Sequence, residues 1–320
     1  MSEYKDRTEL LVKAAKLYYE NNYSQDMVAK KLKLSRPYIS KLLNEAKEVG
    51  IVRVEILDPT KIESKLEKEI REKFNLKKVI VVLNETKEPP LSKVGKAAAK
   101  YLESILKNGD VIGLSWGETL YYCSQELSSN YDLENVIAVQ LCGGISNLQN
   151  KNIYASEISQ NFATALSGIS YILPLPAVVD DRTLKNLMLQ DNNIHKIIEF
   201  GEKANIALFT MGAFGVNSAL VRAGYLSEKQ MLNLSENGAV GDICSHFIDI
   251  NGNICSKELD ERTIAVPLEV IKQKEYRVGV AIGQSKVDSI CGALRGGLVN
   301  VLITNEFTAK LVLNRLEALD

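Results

Sequence analysis

Four glycine-bracketed segments hold the residue types that could bind a small anion: "SWGET" (115–119), "QLCGGIS" (140–146), "GAVGDICSHF" (238–247) and "GQSK" (283–286). In "NGDVIGLSWGETL" (108–120) a strand runs through a Gly turn into a helix. That sets Ser115, Gly117, Glu118 and Thr119 around the helix start. N–H groups in a first turn have no intrahelical partner, the helix dipole favours negative charge there, and glycine lets the backbone come close to a ligand. "VAIGQSKVDSICGALRGG" (280–297) ends a strand at Gly283 and brings Ser285 and Lys286 to another helix start, where the amine suits a phosphate. "VQLCGGIS" (139–146) closes a strand on Gly143 and Gly144, and Asp242 falls in a Gly-flanked turn where its carboxylate would accept sugar hydroxyls. The combination points to a small anionic metabolite such as a phosphorylated sugar. The plain alternative is four structural turns with no ligand, since strand-to-helix turns often need glycine for steric reasons alone.

A second cluster is cationic. Lys30, Lys31, Lys33, Arg36 and Lys41 lie in or beside "LKLSRPYISKLLNEAKEVG" (32–50), and no acid occurs from Val28 to Asn44. Residues 1–57 hold 11 basic and 8 acidic side chains, a net of +3, in a chain whose total is −1, so the remainder carries −4. A basic head on a mildly acidic body hints at nucleic acid at one end.

The elements around these residues follow from periodicity. "RTELLVKAAKLYYE" places Leu10, Leu11, Ala14, Ala15, Leu17 and Tyr18 at helical spacing. Ser24 caps a short second helix with Met27, Val28 and Leu32 inward. Ser35 caps a third, with Pro37 in the first turn, Ile39, Leu42, Leu43 and Ala46 as its buried face, and Gly50 as its stop. Three short helices with a tight turn before the last describe a helix-turn-helix, whose last helix meets the major groove by its N-terminal residues. The DNA-facing set is then Lys30, Lys31, Lys33, Ser35, Arg36, Pro37, Tyr38, Ser40 and Lys41. The lysines suit phosphates, and the Arg36 fork suits a guanine edge. A plain three-helix bundle with a solvated basic face is the rival reading.

"IVRVEILD" (51–58) alternates like a strand or short wing, and the domain boundary is expected near Asp58–Pro59. Ile62, Leu66, Ile70 and Phe74 then recur at helical spacing among charges, as in a solvated linker helix or dimer contact. Beyond it "KKVIVVL", "DVIGLS", "NVIAVQL", "ANIALFT", "YRVGVAIG" and "VNVLIT" read as strands alternating with helices. That alternation implies a largely parallel sheet in an α/β domain, and ligands of such sheets gather at the C-terminal strand edge.

The 320 residues can bury a large core, and 46% apolar with 25% charged residues is ordinary for a globular chain. The start "MSEYKDRTELL" lacks a signal-peptide layout, and the longest uncharged stretch worth testing as a membrane span, 204–221, reads as a buried strand and Gly turn. Cys123, Cys142, Cys244, Cys255 and Cys291 form no C-x-x-C pair, which suits reduced thiols and a cytoplasmic location. With His195 and His246 far apart, no metal cluster is visible, and no cofactor is expected.

"YSQDMVAKKLKLSRPYISKLL", "GLSWGETL", "QLCGGIS", "AVGDICSHFID" and "GALRGGLVNVLIT" together resemble the SorC-type sugar-binding transcriptional regulators, most closely the bacterial deoxyribonucleoside regulators among them, over nearly the whole chain. The resemblance implies an N-terminal helix-turn-helix (1–57), a linker helix (58–76) and an effector-binding and oligomerisation domain (77–320) related to sugar-phosphate isomerases and Rossmann-like in build. It also implies a homodimeric or homotetrameric repressor that a phosphorylated sugar, such as deoxyribose 5-phosphate, releases from operator DNA. Ser115, Gly117, Glu118, Thr119 and Lys286 would meet the phosphate; Arg222, Asp242 and position 142, beside Gly143 and Gly144, would face the sugar. One departure stands out: deoxyribonucleoside regulators carry a lysine inside "QL-x-GG", and this chain has Cys142. A thiol forms no imine with an aldehyde, and Cys142 reads as buried packing.

Two rivals differ in class. A sugar-phosphate isomerase-type enzyme would use Asp242, Glu118 or Lys286 as acid–base groups, but a DNA-binding head has no use in it. An architectural DNA-binding protein without an effector would have no need of Gly turns at several strand edges. The favoured reading is a regulator, not an enzyme and not a membrane protein.

Overall fold

The computed structural model describes residues 2–21, 23–52, 63–83, 90–129, 133–144, 155–215 and 218–319, with side chains from Arg7 onward. Residues 53–58 of the expected wing (51–58) and the boundary at Asp58–Pro59 lie outside the described residues. The chain divides into two units, Met1–Ile62 and Glu63–Asp320.

The first unit has helices α1 (Ser2–Ala15), α2 (Gln25–Leu32) and α3 (Arg36–Glu48), with one π-type turn over Lys16–Glu20. Leu11, Ala14, Val28, Ile39, Leu42, Leu43 and Ala46 bury together between them. Ser24 caps α2 by accepting from Met27 N–H at 3.3 Å. Met27 itself points outward, 50% exposed, because Val28 and Ala29 take the core face and successive residues lie about 100° apart round a helix, too far for a third neighbour to share it. Arg7 of α1 donates to both carboxylate oxygens of Glu45 and to the Tyr38 hydroxyl, fixing α1 across α3.

The second unit is a parallel seven-stranded sheet, order β1-β10-β9-β5-β2-β3-β4. Its strands are β1 (Lys78–Val82), β2 (Val111–Leu114), β3 (Ile137–Gln140), β4 (Ile169–Tyr171), β5 (Ile206–Phe209), β9 (Tyr276–Val280) and β10 (Val301–Asn305). Every residue of β5 and β10 is buried, as both faces are covered. Helices α5 (Pro90–Ile105), α6 (Glu118–Gln125) and α7 (Ala155–Ala165) form one packed layer. Helices α4 (Lys65–Lys73), α9 (Val287–Arg295) and α10 (Glu306–Glu317) form another, with α8 (Asn192–Lys203) against β2 and β3. Helix α4 belongs to this unit: Ile70 is fully buried, and Glu67 completes a capping box with Ser64 while accepting from Val81 N–H at 2.8 Å.

After β1 the chain enters the sheet at β2 and moves outward to β3 and β4. It then returns to β5, on the other side of β2, and moves the opposite way to β9 and β10. The direction reverses between β2 and β5, and the crevice outside the carboxyl ends of such a pair is where open α/β sheets bind ligands. Directly after β5 the chain leaves the sheet at Thr210 and starts a three-stranded antiparallel sheet of β6 (Met211–Ala213), β7 (Gly241–Ile243) and β8 (His246–Ile248). Asp242 is therefore in a strand, paired with Gly212 and Phe247, and not in a turn.

Candidate functional site

A cavity of about 250 Å³ opens at that reversal point. Ser115, one residue past β2, and Thr210, one past β5, stand side by side, and Ser115 Oγ accepts from Thr210 N–H at 3.3 Å. Gly117, at φ +129°, turns the chain into α6, and that backbone geometry excludes most side chains. Glu118 follows as the exposed first residue of α6. Gly283, at φ +109°, makes the matching turn after β9 and sends Ser285 and Lys286 to the cavity. Thus three parallel strands deliver their C-terminal turns to one place.

The antiparallel sheet supplies the opposite wall. A Cβ on Gly212 would lie 1.8 Å from Asp242 Oδ1, so only glycine leaves the carboxylate its place. Asp242 Oδ2 accepts from Ser245 N–H at 3.1 Å. Burial pushes the Asp242 carboxyl up to about 6, against the pull of that N–H and of the Lys286 charge. Burial likewise lowers Lys286, while Asp242 and Glu118 hold it toward its charged form. Hydrogen bonding to the Cys142 thiol and burial push the Cys244 thiol well above its ordinary range, and both cysteines line the cavity.

Seven of the ten residues expected at an effector line this cavity: Ser115, Gly117, Glu118, Cys142, Arg222, Asp242 and Lys286. Thr119 is buried inside α6 and does not. Gly143 and Gly144 shape the wall from behind. Their N–H groups donate to Ile264 O at 2.9 Å and Leu175 O at 3.0 Å, and Gly143 O accepts from Trp116 Nε1 at 2.9 Å. A Cβ on Gly143 would sit 2.2 Å from Pro176 O, which is the steric reason for that glycine. Ile145 and Ser146 of the same segment lie outside the described residues. Sequence reasoning missed Thr210, Ser218, Cys244 and Ser245 as lining residues, and placed Ser285 only at a helix start. The usable signal was position one past a parallel strand, which marks Thr210 as it marks Ser115. His246 is buried, with Nδ1 on the Asp260 carboxylate and Nε2 facing Val266 O at 3.1 Å, so both ring nitrogens serve to anchor β8. Among the described residues no group of His, Cys, Asp and Glu could hold a metal ion, and no helix is long and apolar enough to cross a membrane.

In the first unit Lys30, Lys31, Lys33, Ser35, Arg36, Pro37 and Lys41 are exposed along α2, the turn and the start of α3, with Tyr38 and Ser40 half-buried. Ser35 stands at the N-cap of α3 without making a side-chain cap bond. Arg36 Nε lies 3.6 Å from Asp26 Oδ1, an exposed pair of little energetic weight. Lys31 sits over the Tyr23 ring at 4.8 Å. Lys33 ends α2 in the left-handed region at φ +56°.

A parallel sheet covered on both faces, with a polar cavity at its reversal point, defines a ligand-binding α/β domain. The chain belongs to the sugar-binding domain family, which it matches over residues 58–314. It is 40% identical to the deoxyribonucleoside regulator of Bacillus subtilis (strain 168) over 98% of this chain and 99% of that protein. It is 30% identical to the sorbitol operon regulator of Klebsiella pneumoniae over 97% and 99%. The crystal structure of full-length SorC, the sorbitol operon regulator from Klebsiella pneumoniae, superimposes with a TM-score of 0.76 at 31% identity, covering 96% of this chain and 98% of that one. These relatives are named as regulators, not as enzymes.

Proposed function

We propose that this chain is a DNA-binding transcriptional repressor, released from its operator by a phosphorylated sugar. In this reading residues 1–57 form a helix-turn-helix whose α2, turn and α3 meet DNA, the chain from 58 leads into α4, and the second unit, α4 included, binds the effector and holds a dimer or tetramer together. The carrying observation is the make-up of the cavity: Lys286 and the hydroxyl residues Ser115, Thr210, Ser218 and Ser285 line it together with a carboxylate, Asp242, that burial pushes up to about 6. A ligand with a phosphate at one end and hydroxyls along its length matches that set, and Arg222 at the rim adds a second cation. The names of the relatives, one a deoxyribonucleoside and one a sorbitol operon regulator, favour a sugar-derived effector. Cys142 cannot form an imine, which puts a Schiff-base adduct at that position in doubt. Release works as a population shift: the effector binds the DNA-incompetent arrangement more tightly, and a full reversal needs about a 10⁴-fold preference.

A thermal-shift panel tests this. Deoxyribose 5-phosphate, ribose 5-phosphate, fructose 6-phosphate and glucose 6-phosphate are compared with the unphosphorylated sugars, and the best ligand is then added to the protein bound to operator DNA. Stabilisation by a phosphorylated sugar alone, with release of DNA, is the expected result. No shift with any phosphorylated sugar refutes the effector reading.

A further inference from the structure

The β7–β8 hairpin turns through only two residues, Cys244 and Ser245, and both hold positive φ, +49° and +70°. Two-residue turns with both centres in that region are normally made by Asn-Gly, Asp-Gly or Gly-Gly, because an L side chain is crowded there. This chain keeps a side chain at each position, and both line the cavity. Backbone strain retained at a ligand-facing wall is an observation that points toward function.

Ser245 carries the stronger signal. It is 2% exposed, and its Oγ has no hydrogen-bond partner. Buried hydroxyls are nearly always paired, since leaving one unpaired forfeits its bonds to water. The turn is held in place from below, because the Ser245 N–H donates to Asp242 Oδ2. Asp242 Oδ1, cleared by the missing Cβ of Gly212, is left on the other side of the same carboxylate. One short turn therefore presents a hydroxyl, able to donate and accept, beside a carboxylate that accepts when ionised.

We propose that Ser245 is a specificity-determining residue of the cavity, whose Oγ hydrogen-bonds a hydroxyl on the polyol part of the effector next to Asp242. The inference rests on the effector reading above. It makes the site selective for ligands that keep that hydroxyl, because an analogue without it strands the buried pair.

Two variants separate strain from recognition. Ser245→Gly removes the hydroxyl and relaxes the turn; Ser245→Ala removes the hydroxyl and keeps the strain. Calorimetric titration of the full chain uses the four sugar phosphates of the panel, with inorganic phosphate as reference. The sugar phosphate that binds the wild type is expected to lose about 5- to 30-fold in affinity in both variants relative to inorganic phosphate. Ser245→Gly is also expected to melt about 2–4 °C higher than wild type. Unchanged affinity in both variants overturns the assignment and leaves the hydroxyl to an ordered water. Wild-type protein that binds none of the sugar phosphates overturns the effector reading itself, and this inference with it.

Discussion

Asp242→Asn should make the ligand-free protein more stable at neutral pH while weakening its ligand. The Asp242 carboxyl, ordinarily near 3.8, is pushed up to about 6 by burial in the cavity wall. The folded state then holds its proton more tightly than the unfolded chain. Between about pH 4 and 6 the folded state binds more protons, so stability falls as pH rises through that window. The group's favourable contribution is fully present below pH 4 and lost above 6. At 1.36 kcal/mol per pH unit the ionised carboxylate costs about 3 kcal/mol at pH 7. Asparagine keeps an oxygen for the Ser245 N–H and has no charge to bury. Lys286 loses a stabilising neighbour in exchange, so 3 kcal/mol is a ceiling. For a unit of this size that ceiling is roughly 6–12 °C in Tm. The assay is thermal unfolding of both proteins from pH 4 to 8. The gap should be near zero at pH 4, open through pH 5–6 and level off above 7. A gap that is absent at pH 8, or that does not change with pH, would refute the claim that burial of this carboxylate is what the fold tolerates for the sake of a ligand.

Lys286→Ala should cost the best-binding sugar phosphate about 10- to 100-fold by calorimetry, the worth of one charge-assisted hydrogen bond, and equal affinity would remove Lys286 from the site. Arg36→Ala should reduce discrimination of operator from scrambled DNA by roughly 5- to 150-fold in fluorescence anisotropy; a variant that still picks out its operator shows that another residue reads the bases. Lys33→Gly should stabilise the first unit by about 1 kcal/mol, by relieving the left-handed backbone at φ +56°, and weaken binding to every DNA sequence alike, with the salt slope lower by about one. An unchanged slope would mean that Lys33 touches no phosphate.

The parallel sheet was legible because buried strands read as continuous apolar runs: "VIVV" in β1, "IALF" in β5 and "VLIT" in β10. The turns after β2, β3 and β9 were legible for a different reason, since glycine near a strand end is visible at any distance from its partners. The antiparallel sheet was not. Its strands are three residues each, "MGA", "GDI" and "HFI", too short for a period of two to declare itself, and so Asp242 read as a turn residue. Nor can sequence say whether the N–H groups of a Gly-Gly pair are free. Gly143 and Gly144 spend theirs on Ile264 and Leu175 carbonyls, which only the folded chain brings near. Thr210 joins Ser115 across 95 residues of sequence for the same reason. In the first unit the buried face of α3 read correctly at Ile39, Leu42, Leu43 and Ala46, whereas the Arg7–Glu45–Tyr38 lock depends on how α1 crosses it.

Each unit keeps residues in a conformation that glycine would adopt at no cost: Lys33 between α2 and α3, and Cys244 with Ser245 between β7 and β8. Elsewhere the chain uses glycine freely for such positions, at Gly50, Gly109, Gly117, Gly224, Gly238 and Gly283. Asn75, Asn135 and Ser167 hold positive φ as well, at +50°, +59° and +50°, so Lys33, Cys244 and Ser245 are set apart by where they fall and not by backbone conformation alone. They fall in the α2–α3 turn, where a cation faces solvent, and in the cavity wall, where a hydroxyl has no partner. In both, keeping a side chain for a ligand would explain the strained backbone. If that is the cause, glycine at 33 or 245 raises the melting temperature and lowers the affinity of that unit for its own ligand, DNA in one case and a sugar phosphate in the other. A rise in stability with no loss of binding at either position would leave the retained side chain without a reason.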